Sequence, residues 1–152
     1  MKKYITLSTV VLIPIIAFLA GCTSGADEMA KIVQVMERDD PAMFEKVMRS
    51  FVDCALKDDI DGMIALTSKV TIAQTGLAEL KEHYAKDTVP ALKLFPKMSD
   101  GGQVDYVSDG KGNTGWVYKK IFTAKNGKEA KFQFDVLKEQ GVIGVGSFGL
   151  WK

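Results

Sequence analysis

The spacing of apolar residues changes once along this chain, near Gly101, and this change constrains the fold more than any other feature. Before it, apolar residues recur every three or four positions, as in Phe44, Val47 and Met48, which is the spacing of one helix face. After it, apolar and polar residues alternate, most regularly over residues 129–136, as in a strand with one buried face. The sequence therefore predicts an α+β fold, with N-terminal helices packed on a curved, four-stranded antiparallel meander.

Start and stop signals divide the helical half into several helices. Asp40, which is followed by a proline, is a good helix start because its carboxylate can accept the free amide hydrogens of the first turn. Asp59 offers a cap for a second, short helix, and the assignment of residues 67–74 stays open. A further helical pattern follows, which we expect Pro90 to interrupt and Pro96 to end.

Turn residues set the pairing of the strands. A three-residue turn with Gly127 in the left-handed conformation pairs Tyr118 with Phe134, whereas a two-residue turn places Lys119 opposite Phe134. Only the first choice separates an apolar from a polar face. We therefore expect the three-residue turn.

The same reasoning applies to the last hairpin, whose turn contains Gly141. It predicts that Gly144 lies opposite Val136 and that Gly146 lies opposite Phe134. Small residues would then stand beside large ones where the sheet curves.

The sheet face that points toward the helices is rich in aromatic residues. With few carboxylates on the same face, these residues predict an apolar ligand pocket whose polar groups are the phenols of Tyr118 or Tyr106. A neutral phenol can orient a ligand but is a poor base near neutral pH. The predicted pocket residues are Trp116, Tyr118, Phe122, Phe132, Phe134 and Phe148.

The opposite, outer sheet face is more apolar than a solvated face should be. We expect either residues 26–38, which have an amphipathic helical pattern, or a second copy of the chain to cover it. A homodimer through this face is therefore one of two predictions. The apolar residues assigned to the outer face are Val117, Ile121, Leu137, Ile143, Val145 and Trp151.

The first 21 residues have the layout of a secretory signal. Two lysines precede an apolar run that ends in Leu19-Ala20-Gly21-Cys22. An ordinary cleaved signal, with Cys22 following by chance, is the alternative interpretation.

The closing tetrapeptide resembles the lipobox of bacterial lipoproteins, all four positions of which it matches. The resemblance implies removal of residues 1–21, attachment of acyl chains to Cys22 and anchoring at a cell membrane without a spanning helix. Several acyl chains give nearly permanent membrane attachment, at about 0.8 kcal/mol per buried methylene. Because Thr23 and not an aspartate follows Cys22, the resemblance also implies the outer membrane, facing the periplasm, if the source is Gram-negative.

The order of elements divides the remaining chain into residues 22–39, a tether with a short amphipathic helix, and residues 40–152, an α+β domain. Helices followed by a curved meander resemble the nuclear-transport-factor-two-like cone, also called the cystatin-like fold. That family contains binding proteins as well as small isomerases and dehydratases. The resemblance implies where a site lies, but no particular activity.

Other features exclude several classes of function. Without residues 1–21 the chain carries 18 basic and 19 acidic side chains, which does not suggest nucleic-acid binding. His83 is the only histidine, so we expect no multi-histidine metal site, and the G-x-G-x-x-G pattern at 110–115 precedes a strand and not a helix. We expect no cofactor, and we interpret Cys54 as a small buried apolar residue, with an intermolecular disulfide or a reactive thiol as the alternative.

Two hypotheses from different classes remain. The first is a lipid-anchored, non-catalytic envelope protein that binds a small apolar ligand, a peptide or a partner protein. The second is a cone-fold enzyme of the isomerase or dehydratase type, which requires a carboxylate or histidine that reaches the pocket. We favour the first, in which the apolar pocket serves binding.

Overall fold

The computed structural model describes residues 39–108 and 113–151. Residues 40–152 form one compact unit. The predicted signal peptide, Cys22 and nearly all of the predicted tether lie outside the described residues, as do positions 109–112 of the glycine-rich loop.

The first half of the unit is helical, and two of its helices begin where the sequence predicts. The Asp40 carboxylate accepts a hydrogen bond from the Ala42 N–H at 2.9 Å, and the Asp59 carboxylate accepts one from the Gly62 N–H at 2.8 Å. Ser68 caps a further helix within the stretch that the sequence left open. The helical elements are α1 (Pro41–Leu56), α2 (Ile60–Ala65), α3 (Lys69–Thr75), α4 (Leu77–His83), a π-helical turn (Tyr84–Thr88) and α5 (Val89–Leu94).

Pro90 does not interrupt its helix, so that prediction is wrong. The chain is helical from α4 through α5, because the π-helical turn lies directly before Val89. Proline in an α-helix clashes with the carbonyl group four residues earlier. In a π-helix the hydrogen bonds reach one residue further, as from the Val89 N–H to the Tyr84 carbonyl oxygen, and the wider turn accommodates the ring. The helices end before Pro96, as predicted.

The second half forms a curled antiparallel sheet on which the helices pack, which confirms the predicted α+β class. The predicted four-strand meander is present. A two-residue strand that the sequence did not predict precedes it. This short strand and the first strand of the meander both pair with the same edge of the meander's second strand. The strands are β1 (Lys97–Met98), β2 (Gln103–Ser108), β3 (Thr114–Thr123), β4 (Glu129–Glu139) and β5 (Val142–Leu150).

The β3–β4 hairpin has the predicted register. Tyr118 lies opposite Phe134 and Trp116 lies opposite Val136. Gly127 has a φ of 81°, in the left-handed region that glycine adopts without steric cost. The rule that the faces must separate therefore identified the correct turn.

The predicted register of β4 with β5 is wrong. Gln140 and Gly141 both have positive φ, so this turn has two residues and not three. This turn places Val145 opposite Val136, and a bulge between Asp135 and Val136 then shifts the pairing once more, so that Phe148 lies opposite Phe134. As a result, Val145 points into the core and not to the outer face.

The core lies between α1, the α4–α5 segment and the inner face of the sheet. Ile143 packs against it too, contrary to its assignment to the outer face. The fully enclosed side chains of this core include Phe44, Met48, Phe51, Met63, Leu92, Tyr118, Phe122, Phe134 and Val136.

Candidate functional site

The six aromatic residues predicted to line a pocket all lie on the inner sheet face or pack against the core. Tyr118, Phe122, Phe132 and Phe134 are at most 2 % exposed, while Trp116 and Phe148 are half-buried. Ring centroids of Phe122 and Phe132 are 5.2 Å apart, and those of Phe134 and Phe148 are 5.0 Å apart. Contacts at these distances are those of packed aromatic rings, so most of this set fills the core.

Two of the six aromatic residues also line a groove at the edge of the core. This groove, called the His83 groove below, has a volume of about 190 Å³. The α4–α5 segment forms one wall, and β4 with the end of β5 forms the other. Its lining residues are His83, Asp87, Thr88, Ala91, Phe132, Phe148, Gly149 and Leu150.

Thr88 lines this groove and carries an unusual buried polar group. It ends the π-helical turn, its residue surface is 1 % exposed, and its hydroxyl has no hydrogen-bond partner among the described residues. A buried hydroxyl without a partner costs free energy, and such groups are uncommon in folded proteins. Together with the π-helical turn, which often marks a functional position, this hydroxyl identifies the His83 groove as the candidate site.

His83 and Asp87 form a pair at the entrance of the groove. They are one helical turn apart, and His83 Nδ1 lies 2.9 Å from Asp87 Oδ2. The side chains are 52 % and 68 % exposed, so the pair is in contact with solvent. A carboxylate that bonds one imidazole nitrogen fixes the ring and leaves the other nitrogen available to a ligand.

Tyr118 does not supply the polar group of the site, although the sequence favoured it. Its hydroxyl donates a hydrogen bond to the Pro41 carbonyl oxygen at 2.5 Å, which ties β3 to the start of α1. Burial, and then the nearby charge of Glu45, raise the pKa of the phenol above its ordinary value. The other predicted phenol, Tyr106, packs edge-to-face on Trp116.

Three aspartates that could serve as acids in a pocket have partners elsewhere. Asp61 accepts a hydrogen bond from Lys81 at 2.6 Å, Asp105 accepts one from Lys119 at 3.2 Å, and Asp135 accepts one from the Ser147 hydroxyl at 2.5 Å. None of these three lines the His83 groove.

A buried lysine is a polar feature that the sequence reading did not single out. Lys120 is 2 % exposed, and its Nζ donates to Glu45 Oε1 at 3.0 Å and to the Asp100 carbonyl oxygen at 3.1 Å. Arg49 donates to the same Glu45 oxygen at 2.8 Å. Burial alone would raise the pKa of Glu45, but the hydrogen bonds from Lys120 and Arg49 hold it below its ordinary value. Strict alternation along β3 places Lys120 on the inner face, so the signal was present in the sequence.

Two other cavities fit a ligand site less well. One, of about 530 Å³, is an open, polar depression along α1 beside Glu45 and Arg49. The other, of about 350 Å³, is apolar and lies against Val70, Val107 and Leu137. Neither contains one of the six predicted aromatic residues.

Among the described residues there is no group of three or more metal-binding side chains, and no helix is long and apolar enough to cross a membrane. Cys54 is half-buried, and burial raises the pKa of its thiol.

No protein-family model matches this chain, and no curated protein matches it significantly. The resemblances to lipoproteins and to the nuclear-transport-factor-two-like cone stay predictions from the sequence.

Proposed function

We propose that this protein is a lipid-anchored component of the bacterial cell envelope whose α+β domain binds an apolar ligand in the His83 groove. The anchor is the set of acyl chains on Cys22, and the ligand is a small apolar molecule or an apolar side chain of a peptide or partner protein. The lipobox supports the anchor. The buried, unpartnered hydroxyl of Thr88 is the observation that carries the binding site.

The dimensions of the groove limit the ligand. Its volume of about 190 Å³ is below the roughly 300–1,000 Å³ of pockets that hold drug-sized molecules. Phe132 and Phe148 form an apolar wall, and Leu150 at its end is 71 % exposed. We therefore expect a ligand with one aromatic or short aliphatic group and one hydrogen-bonding group that reaches Thr88.

The His83–Asp87 pair favours a second candidate function, a small cone-fold enzyme. A histidine oriented by a carboxylate can serve as a general base if its free nitrogen comes within about 3 Å of a substrate proton. This function requires a histidine or a carboxylate at the pocket, and His83 lies at this groove. We favour binding because the pair stands in solvent at the entrance and not inside the groove.

We expect Cys22→Ala to abolish acylation and to release the protein from the membrane or to block its maturation. The chain has one other cysteine, so Cys54→Ala is the matched control and should leave membrane fractionation unchanged. Membrane fractionation and intact-protein mass measure both effects. An unchanged mass and an unchanged membrane fraction in Cys22→Ala would contradict the anchor.

Benzyl alcohol tests the groove because it combines an aromatic ring with a hydroxyl that can bond to Thr88. NMR titration should show millimolar binding, with shifts centred on the groove. Leu150→Ala should weaken binding about tenfold by removing part of the apolar wall. Leu94→Ala is the control, since Leu94 is similarly exposed at 63 % but lies outside the groove.

Thr88→Val separates binding from folding. Without ligand it should raise the free energy of unfolding by about 1 kcal/mol, because it removes an unpartnered donor at nearly constant volume. The same change should weaken the binding of benzyl alcohol about fivefold. Thr67→Val is the contrast: the Thr67 hydroxyl bonds both the Met63 carbonyl and Tyr84, so its loss should destabilise the fold.

Binding that is unaffected by both Leu150→Ala and Thr88→Val would overturn the assignment of the groove. A turnover that His83→Asn abolishes while benzyl alcohol still binds would favour the enzyme.

A further inference from the structure

Two lysine side chains flank the indole of Trp151 on the outer sheet face. Lys119 Nζ lies 5.4 Å and Lys131 Nζ lies 5.0 Å from the ring centroid, both within cation–π distance. The Trp151 backbone N–H donates to the Lys131 carbonyl oxygen at 2.9 Å, which fixes this residue beside β4. The half-buried indole therefore lies close to two ammonium groups.

Three further exposed lysines lie at the same end of the sheet. Lys97 pairs with Thr123 at the end of β3, and Lys125 and Lys128 lie in the β3–β4 turn. We call these five lysines and the indole the Trp151 patch: Lys97, Lys119, Lys125, Lys128, Lys131 and Trp151. The carboxylate of Asp105 offsets part of the charge through its ion pair with Lys119, and Glu129 lies nearby opposite Thr123.

The combination of indole and ammonium groups points to a particular surface. Tryptophan concentrates at the depth of lipid headgroups, where its ring is half apolar and half polar. Each lysine near an anionic bilayer strengthens binding about fourfold to sixfold. Lysines alone would be enough to attract a soluble phosphate polymer, so the indole favours a bilayer. We propose that the Trp151 patch contacts a bilayer through anionic lipid headgroups. This inference goes beyond ligand binding in the His83 groove and does not require acylation of Cys22.

The patch also differs from the rest of the outer face. The apolar side chains Val107 and Leu137 lie toward the start of β3, near Thr114, whereas the patch surrounds its end, near Thr123. Contact with a membrane at one end thus leaves the other end of this face free for other partners.

Fluorescence of Trp151 provides the test, because the chain has two tryptophans and Trp116→Phe leaves Trp151 alone. The full chain is mixed with brominated-lipid vesicles, either zwitterionic or containing about one-third phosphatidylglycerol. We expect quenching with the anionic vesicles that falls as salt rises toward 1 M, where the Debye length is about 3 Å. Trp151→Phe leaves Trp116 as the control fluorophore, which should stay unquenched.

Charge variants show whether the lysines carry the contact. Lys119→Gln with Lys131→Gln should lower the quenching of Trp151 at least about twofold. Lys46→Gln with Lys69→Gln is the matched control, since it removes the same charge from exposed helical positions. Circular dichroism verifies that each variant is folded.

Flotation of the same samples measures membrane anchoring separately from the patch. Protein that floats with both vesicle types while Trp151 stays unquenched retains its anchor and overturns the patch proposal. Quenching that is equal in both vesicle types, or that the double lysine variant leaves unchanged, overturns it as well. A response of Trp151 to soluble polyphosphate but not to vesicles would identify a phosphate polymer as the partner and reject the bilayer.

Discussion

Lys120 shows how a single charged residue can be part of a protein core. A buried ammonium group requires partners, and Lys120 has a carboxylate oxygen of α1 and a backbone carbonyl oxygen between β1 and β2. Because Glu45 also binds Arg49, these contacts connect the first helix to the sheet. The network therefore fixes α1 against the end of the sheet where the edge strand is broken.

We expect Glu45→Gln to lower the free energy of unfolding by about 1–3 kcal/mol, because Lys120 would lose its ionised partner. Thermal and urea unfolding measure the loss. Glu82→Gln is the control: its carboxylate is 61 % exposed in an ion pair with Lys86, and such surface pairs contribute about 0.3–0.5 kcal/mol.

The pH dependence of stability offers a second measurement on Glu45. Its pKa in the folded protein lies below the ordinary value of 4.5, so its stabilisation is fully present above pH 4.5. That stabilisation is lost as the pH falls from 4.5 through the lower pKa of the folded state. The free energy of unfolding of Glu45→Gln should therefore fall less steeply than that of the wild type as the pH is lowered through this range. An unchanged slope would contradict the role of the network.

At the scale of elements, the sequence predicted what depends on alternation and on helix caps. The starts at Asp40 and Asp59 follow from local side-chain chemistry, and the β3–β4 register follows from keeping two faces separate. The β4–β5 register was predicted wrongly, because Gln140 and Gly141 form a two-residue turn and the bulge at Asp135 shifts the pairing again, and alternation signals neither. The candidate site was predicted only in part: alternation placed Phe132 and Phe148 on the inner face. The groove, however, depends on a π-helical turn that no local pattern signals.

The β3–β4 turn predicts the effect of one substitution. Gly127→Ala should destabilise the protein by about 1 kcal/mol, because alanine is strained at a φ of 81°. Gly101→Ala is the control, as a β-carbon there also meets open space but the backbone has no positive φ. Equal unfolding free energies for the two variants would show that the turn is not under conformational constraint.

At the scale of the whole molecule, part of the outer sheet face is not covered by other described residues. Val117, Ile121 and Leu137 are half-buried there, while Val145 and Ile143 belong with the core. The predicted cover is either residues 26–38, which lie outside the described residues, or a second copy of the chain.

We expect the chain to form a dimer through this face and Leu137→Asp to convert it to a monomer. Leu137→Asp would bury a carboxylate in an apolar contact, which is costly. Leu94→Asp is the control, since it changes an exposed residue of α5 and should leave the mass of the assembly in solution unchanged. Light scattering measures the mass of both variants. A wild-type monomer across the concentration range would rule out the second copy as the cover.

The hydrogen bonds of Val145 determine how this protein can associate with other chains. Its N–H donates to the Leu66 carbonyl oxygen at 2.8 Å, and its carbonyl oxygen accepts from the Ser68 N–H at 2.9 Å. The helical layer thus occupies the middle of the β5 edge, and residues 99–102 break the opposite edge between β1 and β2. Among the described residues, an incoming strand therefore cannot pair along the whole of the β5 edge. The β5 edge is consequently a poor template for strand addition and aggregation.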